Sequence, residues 1–324
     1  MKTVVLGAGS LGCVYGGFLA KAGYDVTLIG RRKSHVDAIN SGLVISGING
    51  TDVVKVKATD NPREVDSADL LILLTKTMDT ANALDSVSHL YGAVKCAVSL
   101  QNGMTKDDQL KERFGAEKVI GGTAVVGAVL LGDGKVEYTH DGVTVLGEFD
   151  GKLSERVEEI VGMLKNAGLK AEAMDDIRSA EWTKLLLSGP GQAISALTRL
   201  EMHKIRQSPI LARLYVRLIK EVAEVAKKDG AKMKTLAGME IVKAVVDSPF
   251  DRAVELVIEN GHKMEKAGQI HILPSMAQSL ISGRKTEVDT AISYVAKRAK
   301  ELGIDTPTAE FFATIIKGID EYMK

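Results

Sequence analysis

The sequence predicts an α/β protein: a parallel-sheet domain over residues 1–175, then an all-helical domain over residues 176–324. Three observations carry that expectation. The first half alternates short apolar runs with helix-like segments, the pattern of a parallel sheet covered on both faces. Beyond about Asp175 no convincing strand follows, and helical spacing takes over. A chain of 324 residues exceeds one typical core and suits two.

In order along the chain, Thr3–Leu6 is a short apolar strand, and Cys13–Ala22 has helical character ending at Gly23. Asp25–Ile29, Leu70–Leu74 and Cys96–Leu100 are further strands, with helical segments at Thr80–Leu90 and Lys106–Phe114. Leu43–Lys57 and Lys135–Leu146 break the alternation and read as antiparallel hairpins with glycine at the turn. In the second half, Ser208-Pro209 opens a long helix with a serine cap and proline at the first position, and Gly230 closes it. Thr306-Pro307 opens the last helix in the same way, and Val288–Leu302 carries apolar residues near helical spacing. Met202, Met233 and Met239 read as helix packing.

Composition narrows the function. Lys plus Arg equals Asp plus Glu, 42 each, so no global field recruits nucleic acid or an acidic membrane. The N-terminus superficially resembles a signal peptide, but glycines between Gly7 and Gly17 interrupt its apolar run. The later apolar stretch Gly122–Leu131 is too short to span a bilayer. Two cysteines, Cys13 and Cys96, make no disulfide framework, and the expected compartment is the cytoplasm. Six histidines without metal-ligand spacing give no metal site. A homo-oligomer stays open.

The segment LGAGSLG places Gly7, Gly9 and Gly12 as G-x-G-x-x-G between the first strand and its helix, with Ala8, Ser10 and Leu11 between them. The first glycine permits a tight turn, the second lets a pyrophosphate approach, and the third packs helix on strand. That context turns a weak pattern into a dinucleotide site of the Rossmann type. NAD proteins usually carry Asp or Glu at the end of the second strand to accept ribose hydroxyls. Here Gly30-Arg31-Arg32-Lys33 follows instead, about 20 residues beyond the last glycine. No carboxylate stands in that stretch to repel a 2′-phosphate, and guanidinium forks suit one, Arg31 first and Arg32 second. NADP(H) is therefore the expected cofactor; a solvated basic turn is the plainer alternative.

Three further residues stand out. Lys76 in LLTKTMD and Asn102 in SLQNGM follow successive buried strands, at the carboxyl ends where open α/β sheets bind ligands. Lys184 leads an apolar run, follows the only tryptophan and precedes a Gly-Pro-Gly break. An ammonium withdrawn from water needs a partner or gives up its proton, so this one calls for a reason.

LGAGSLG, TKT, QNGM, the K-L-L-L stretch, and SMAQSLISGRKTEVD followed later by KELGIDTPTAEF together resemble the ketopantoate reductase family (2-dehydropantoate 2-reductases). The likeness runs through the whole chain in order. It implies a Rossmann domain, a helical domain, and a cleft between them where NADPH reduces a 2-oxo acid. It makes Lys184 the general acid and Glu287 a contact to cofactor and active site. It gives Ser275 a substrate contact, Asn102 a contact to both molecules, Lys76 a place near the nicotinamide, and Ala128 a backbone contact to the cofactor. An ammonium beside a carbonyl that becomes an alkoxide both stabilises and protonates it, which would explain Lys184.

One departure bears on the substrate. The family commonly has asparagines four and eight residues after the lysine, where this chain has Ser188 and Gln192. Both still hydrogen-bond and are substrate-binding candidates, but with different reach and donor count. The expected reaction is reduction of ketopantoate to D-pantoate. The alternatives are reduction of another branched or aromatic 2-oxo acid, or a non-catalytic NADPH-binding protein. The stretch Met233–Ile272 is also long for the family.

Overall fold

A computed structural model of the protein describes residues 1–232 and 240–323, so Met233 and Met239 lie outside the described residues. The chain divides into two compact units, Met1–Arg178 and Ser179–Lys324.

The strands of the first unit are β1 (Lys2–Leu6), β2 (Asp25–Ile29), β3 (Leu43–Gly47), β4 (Asp52–Val54), β5 (Lys57–Thr59), β6 (Ala68–Leu73), β7 (Val94–Ser99), β8 (Val119–Ala124), β9 (Gly127–Gly132), β10 (Lys135–His140), β11 (Thr144–Gly147) and β12 (Ala171–Ala173). Its helices are α1 (Ser10–Lys21), α2 (Lys33–Gly42), α3 (Thr80–Ser86), α4 (Lys106–Phe114) and α5 (Glu155–Asn166). The large sheet runs β12-β11-β8-β7-β6-β1-β2-β5, and a small one runs β4-β3-β10-β9. From β8 to β5 the large sheet is parallel; β11 lies antiparallel to β8. The strand order reverses at β1, between β2 and β6, and such a switch point opens a crevice at the carboxyl ends.

Helix α1 lies between the two sheets because it presents glycine to each. A Cβ on Gly16 would come within 2.5 Å of Leu28 from the large sheet, and one on Gly17 within 2.4 Å of Ile45 from the small sheet. Val5, Leu28, Leu70, Ile72 and Val98 join Ile45, Val136 and Tyr138 in the core on that side. On the opposite face Val4, Leu6, Leu71 and Leu73 pack with Leu84, Leu110 and Phe114 from the covering helices.

One expected hairpin is wrong. Lys135–Leu146 does not fold back on itself: β10 pairs antiparallel with the preceding β9 and parallel with β3, while β11 crosses to β8. The turn is Asp133-Gly134, with Gly134 at φ +67°, the dipeptide that suits a tight hairpin. The Leu43–Lys57 hairpin forms as β3–β4, but Lys57 belongs to β5, which pairs with β2 in the large sheet.

The second unit contains α6 (Ile177–Thr198, beginning in the last residues of the first unit), α7 (Met202–Gln207), α8 (Pro209–Lys228), α9 (Glu240–Asp247), α10 (Phe250–Lys266), α11 (Ser275–Ile281), α12 (Ile292–Leu302) and α13 (Pro307–Asp320). No strand occurs among its described residues. Ser208 caps α8 as expected, its hydroxyl accepting from the Leu211 amide. Thr306 does not cap α13: its buried hydroxyl has no hydrogen-bond partner. Glu221 of α8 supplies the cap instead, accepting from Thr308 N at 3.0 Å and Ala309 N at 2.8 Å. The Gly-Pro-Gly stretch is no break either, since α6 continues through Pro190. Gly189 and Gly191 admit close neighbours, Ile292 and Met202, and the Tyr215 hydroxyl donates to the Leu187 carbonyl at 2.9 Å. Tertiary contacts thus offset the hydrogen bond that proline removes.

Candidate functional site

The glycine loop sits at the switch point. Gly7 has φ +113°, and an added Cβ would lie 2.6 Å from Thr75 N, so the turn is pressed against the end of β6. A Cβ on Gly12 would lie 1.9 Å from the Gly7 carbonyl oxygen, whereas one on Gly9 would meet nothing within 4 Å. The loop is therefore closed at both ends and open in its middle. Gly9 is the N-cap of α1, with no side-chain cap and no acidic residue in the first turn. First-turn amides have no intrahelical acceptor, and the helix dipole adds positive potential there. Ser10 and Leu11 supply two of those amides, and the Ala8 amide is already bonded to Ile29 O at 3.1 Å. The cradle fits an anion such as a pyrophosphate.

Arg31 and Arg32 follow β2 as expected, but each meets a carboxylate from elsewhere. Arg31 Nη1 lies 2.9 Å from Asp79 and Arg32 Nη2 lies 2.6 Å from Asp133. The absence of acid in the local sequence thus does not mean its absence in space. Both guanidiniums remain mostly exposed, so these pairs are weak and open to exchange with a stronger anion.

Lys76 and Asn102 occupy the loops after β6 and β7. Lys76 is exposed and Asn102 half-buried. A residue between them in role joins these loops: buried Gln101 donates from Nε2 to Thr75 O at 2.9 Å and Thr80 Oγ1 at 2.8 Å. Its Oε1 accepts from Ser99 at 3.0 Å. Ala128 lies on β9 opposite Tyr138 and is half-buried.

In the helical unit, Trp182 fixes the rotation of α6. It is fully buried, donates to Asp229 at 3.0 Å, and Asp229 in turn binds Arg298 at 2.6 Å. Lys184, half-buried, follows by two residues; Ser188 and Gln192 lie on the same helical face at spacings of four. Gln192 is buried and accepts from Ser275 Oγ at 3.3 Å, so two predicted substrate contacts meet. Glu287 is buried just after Thr286, whose amide and hydroxyl both bind Asp320. No cluster of metal-ligating residues occurs among the described residues, and no described helix is long and apolar enough to cross a membrane.

Sequence reasoning missed Gln101, Asp79, Asp133 and His35, a buried imidazole behind the glycine loop. Gln101 was findable from its place beside Asn102 in QNGM; the others have no local signal.

Two family models match consecutive parts of the chain: Ketopantoate reductase PanE/ApbA over residues 3–151, and its C-terminal counterpart over residues 176–320. The 2-dehydropantoate 2-reductase of Pyrococcus abyssi is 32% identical over 98% of this chain and 97% of its own. A crystal structure of 2-dehydropantoate 2-reductase from Geobacter metallireducens superposes with TM-score 0.84 at 27% identity, covering 98% of this chain and 99% of its own. D-Mandelate dehydrogenase, solved with NADH and anilino(oxo)acetate, shares the fold with TM-score 0.84 at 22% identity, over 99% of both chains. The chain belongs to the ketopantoate reductase family, NADPH-dependent oxidoreductases acting on a CH–OH group.

Proposed function

We propose that this member of the family reduces 2-dehydropantoate to D-pantoate, a step toward pantothenate and coenzyme A, with Lys184 as general acid. The observation that carries the reading is the match of both family models, in order, to nearly the whole chain. The nicotinamide cofactor supplies the hydride when bound. The cradle from Gly7 to Gly12 would hold its pyrophosphate, Arg31 and Arg32 its 2′-phosphate, and Lys76, Asn102, Ala128 and Glu287 its remaining contacts. That makes the first unit the NADP-binding domain and the second the substrate and catalytic domain.

The substrate presents a carboxylate beside a ketone whose oxygen gains negative charge during reduction. The Lys184 ammonium stabilises that charge and delivers its proton to the same oxygen, an effect typically worth ~10²–10⁴-fold. Buried Glu287 is the second catalytic residue in this reading, contacting cofactor and active site. Ser188, Gln192 and Ser275 orient substrate oxygens, and Asn102 spans substrate and cofactor. The buried, free cysteines suit a reducing cytoplasm.

A second reading keeps the chemistry and changes the acid. The Gln192–Ser275 bond engages the carbonyl of a group that is asparagine in much of the family, leaving its NH2 to offer. The fold also carries a D-mandelate dehydrogenase, so fold does not choose the substrate. A panel of 2-oxo acids assayed with NADPH, with product chirality determined, separates the readings. The highest kcat/KM for ketopantoate is expected; a higher value for an acid lacking the 4-hydroxyl favours the second, and no turnover of any acid defeats both.

A further inference from the structure

His35 is buried to 4% exposure on α2, three residues beyond Arg32. Its Nε2 lies 2.8 Å from the Ala8 carbonyl in the middle of the glycine loop. Its Nδ1 accepts from the Gly134 amide at 3.1 Å. A carbonyl can only accept and an amide N–H can only donate, so both bonds form together only in the neutral imidazole with its proton on Nε2. One ring therefore joins the phosphate cradle to the Asp133-Gly134 turn of the β9–β10 hairpin, which carries Ala128 on its first strand. The turn is seated tightly there: a Cβ on Gly134 would lie 2.8 Å from Ala38 of α2, and Gly134 O accepts from Val44 N at 2.9 Å.

The Ala8 carbonyl matters because it shares a rigid peptide plane with the Gly9 amide. In a trans peptide the C=O and N–H point in opposite directions, so holding one aims the other. Glycine at position 9 would otherwise let that plane rotate at little cost. Cys13 adds only a weak bond to the same carbonyl, Sγ to O at 3.7 Å.

We propose that His35 is a positioning residue for the dinucleotide: it locks the Ala8–Gly9 peptide so that the Gly9 amide faces the pyrophosphate, and it ties that cradle to the β9–β10 turn. The inference rests on the reading that the glycine loop holds a dinucleotide. Pyrophosphate is common to NADPH and NADH, so loss of the lock weakens both equally; damage confined to the Arg32–Asp133 end weakens NADPH alone.

The test measures Kd for NADPH and NADH by fluorescence titration in wild type, His35→Leu and His35→Gln. His35→Leu is expected to raise both constants about tenfold, the scale of one buried hydrogen bond, with kcat at saturating cofactor within roughly threefold of wild type. His35→Gln, whose carboxamide N–H replaces Nε2–H toward Ala8, is expected to return both constants to within about threefold. Nitrogen NMR of the wild-type imidazole is expected to show the Nε2–H tautomer, whether or not the leucine variant folds. Unchanged constants in folded His35→Leu, a loss restricted to NADPH, no rescue by glutamine, or an Nδ1–H tautomer would each overturn the inference. A wild-type protein that binds neither dinucleotide would instead sink the cofactor reading beneath it.

Discussion

In the parallel-sheet unit, the groups that the glycine loop offers to an anion belong to the backbone: first-turn amides of α1, exposed where glycines keep the turn tight. In the helical unit, the candidate groups are side chains set among bonded neighbours. Trp182 leans on Asp229, Asp229 on Arg298, Gln192 meets Ser275, and Thr286 beside Glu287 binds Asp320. Even the helix around Pro190 is steadied by Tyr215, itself bonded to buried Arg206 at 3.2 Å. A backbone site tolerates any residue that keeps the turn, whereas a side-chain site fails with the loss of one partner. The two units should therefore respond to mutation in different ways.

The largest effect is expected from Lys184→Ala, which removes the proposed acid without touching the described core. Turnover should fall ~10²–10⁴-fold while thermal stability stays near wild type. Unchanged kcat in the purified variant would remove Lys184 from catalysis and break the contrast at its strongest point.

Next comes the backbone site. Gly12→Ala forces a Cβ to 1.9 Å from the Gly7 carbonyl, so the loop must open. A loss of about 1–3 kcal/mol in stability and of most NADPH affinity is expected by denaturant titration and binding. Gly9→Ala has room for its methyl in the free protein and should leave stability within about 1 kcal/mol, since Ala replaces Gly without a clash. Its effect should fall on cofactor affinity alone. Equal stability losses at both positions would contradict the open-centred cradle.

A smaller pair addresses the helical unit. Glu221→Ala leaves two first-turn amides of α13 uncapped and should cost ~0.5–2 kcal/mol. Thr306→Val removes a buried hydroxyl that bonds to nothing and should be neutral or mildly stabilising. If valine proved the worse substitution, the cap would belong to Thr306 after all.

The smallest effect concerns pH. Asp69 on β6 is held below the usual carboxylate range, first by the hydrogen bond from Lys95 and then by the Lys2 amide. A depressed carboxyl contributes stability above its unfolded pKa of about 3.9 and loses it as pH falls through the folded value. Wild type should therefore lose slightly more stability than Asp69→Asn between about pH 5 and the acid limit of folding. Parallel pH profiles would show that this pair contributes nothing.

Much of the first unit was legible because local rules govern it. Asp25–Ile29 is a strand with the bounds its apolar run implies, and the glycine loop lies where strand meets helix. The hairpin error came from reading 135–146 as one unit, when Asp133-Gly134 was the turn signal. The caps split in the same way. Ser208 behaved as its position implies, while Thr306, with the same sequence context, was displaced by a carboxylate 88 residues away from Ala309. Gly-Pro-Gly looked like a stop because proline breaks isolated helices, but packing against Met202 and Ile292 carries α6 through.

The sequence by itself determined the two-part fold class, the glycine loop between strand and helix, and the family motifs. Those depend on φ/ψ freedom and side-chain periodicity over a few residues, which chain order encodes directly. Tertiary structure alone decided which charge meets which: Asp79 at Arg31, 48 residues apart, Asp133 at Arg32, and His35 between Ala8 and Gly134. Such pairings depend on distances of a few ångströms between groups remote in the chain, and electrostatic and hydrogen-bond energies depend steeply on that distance.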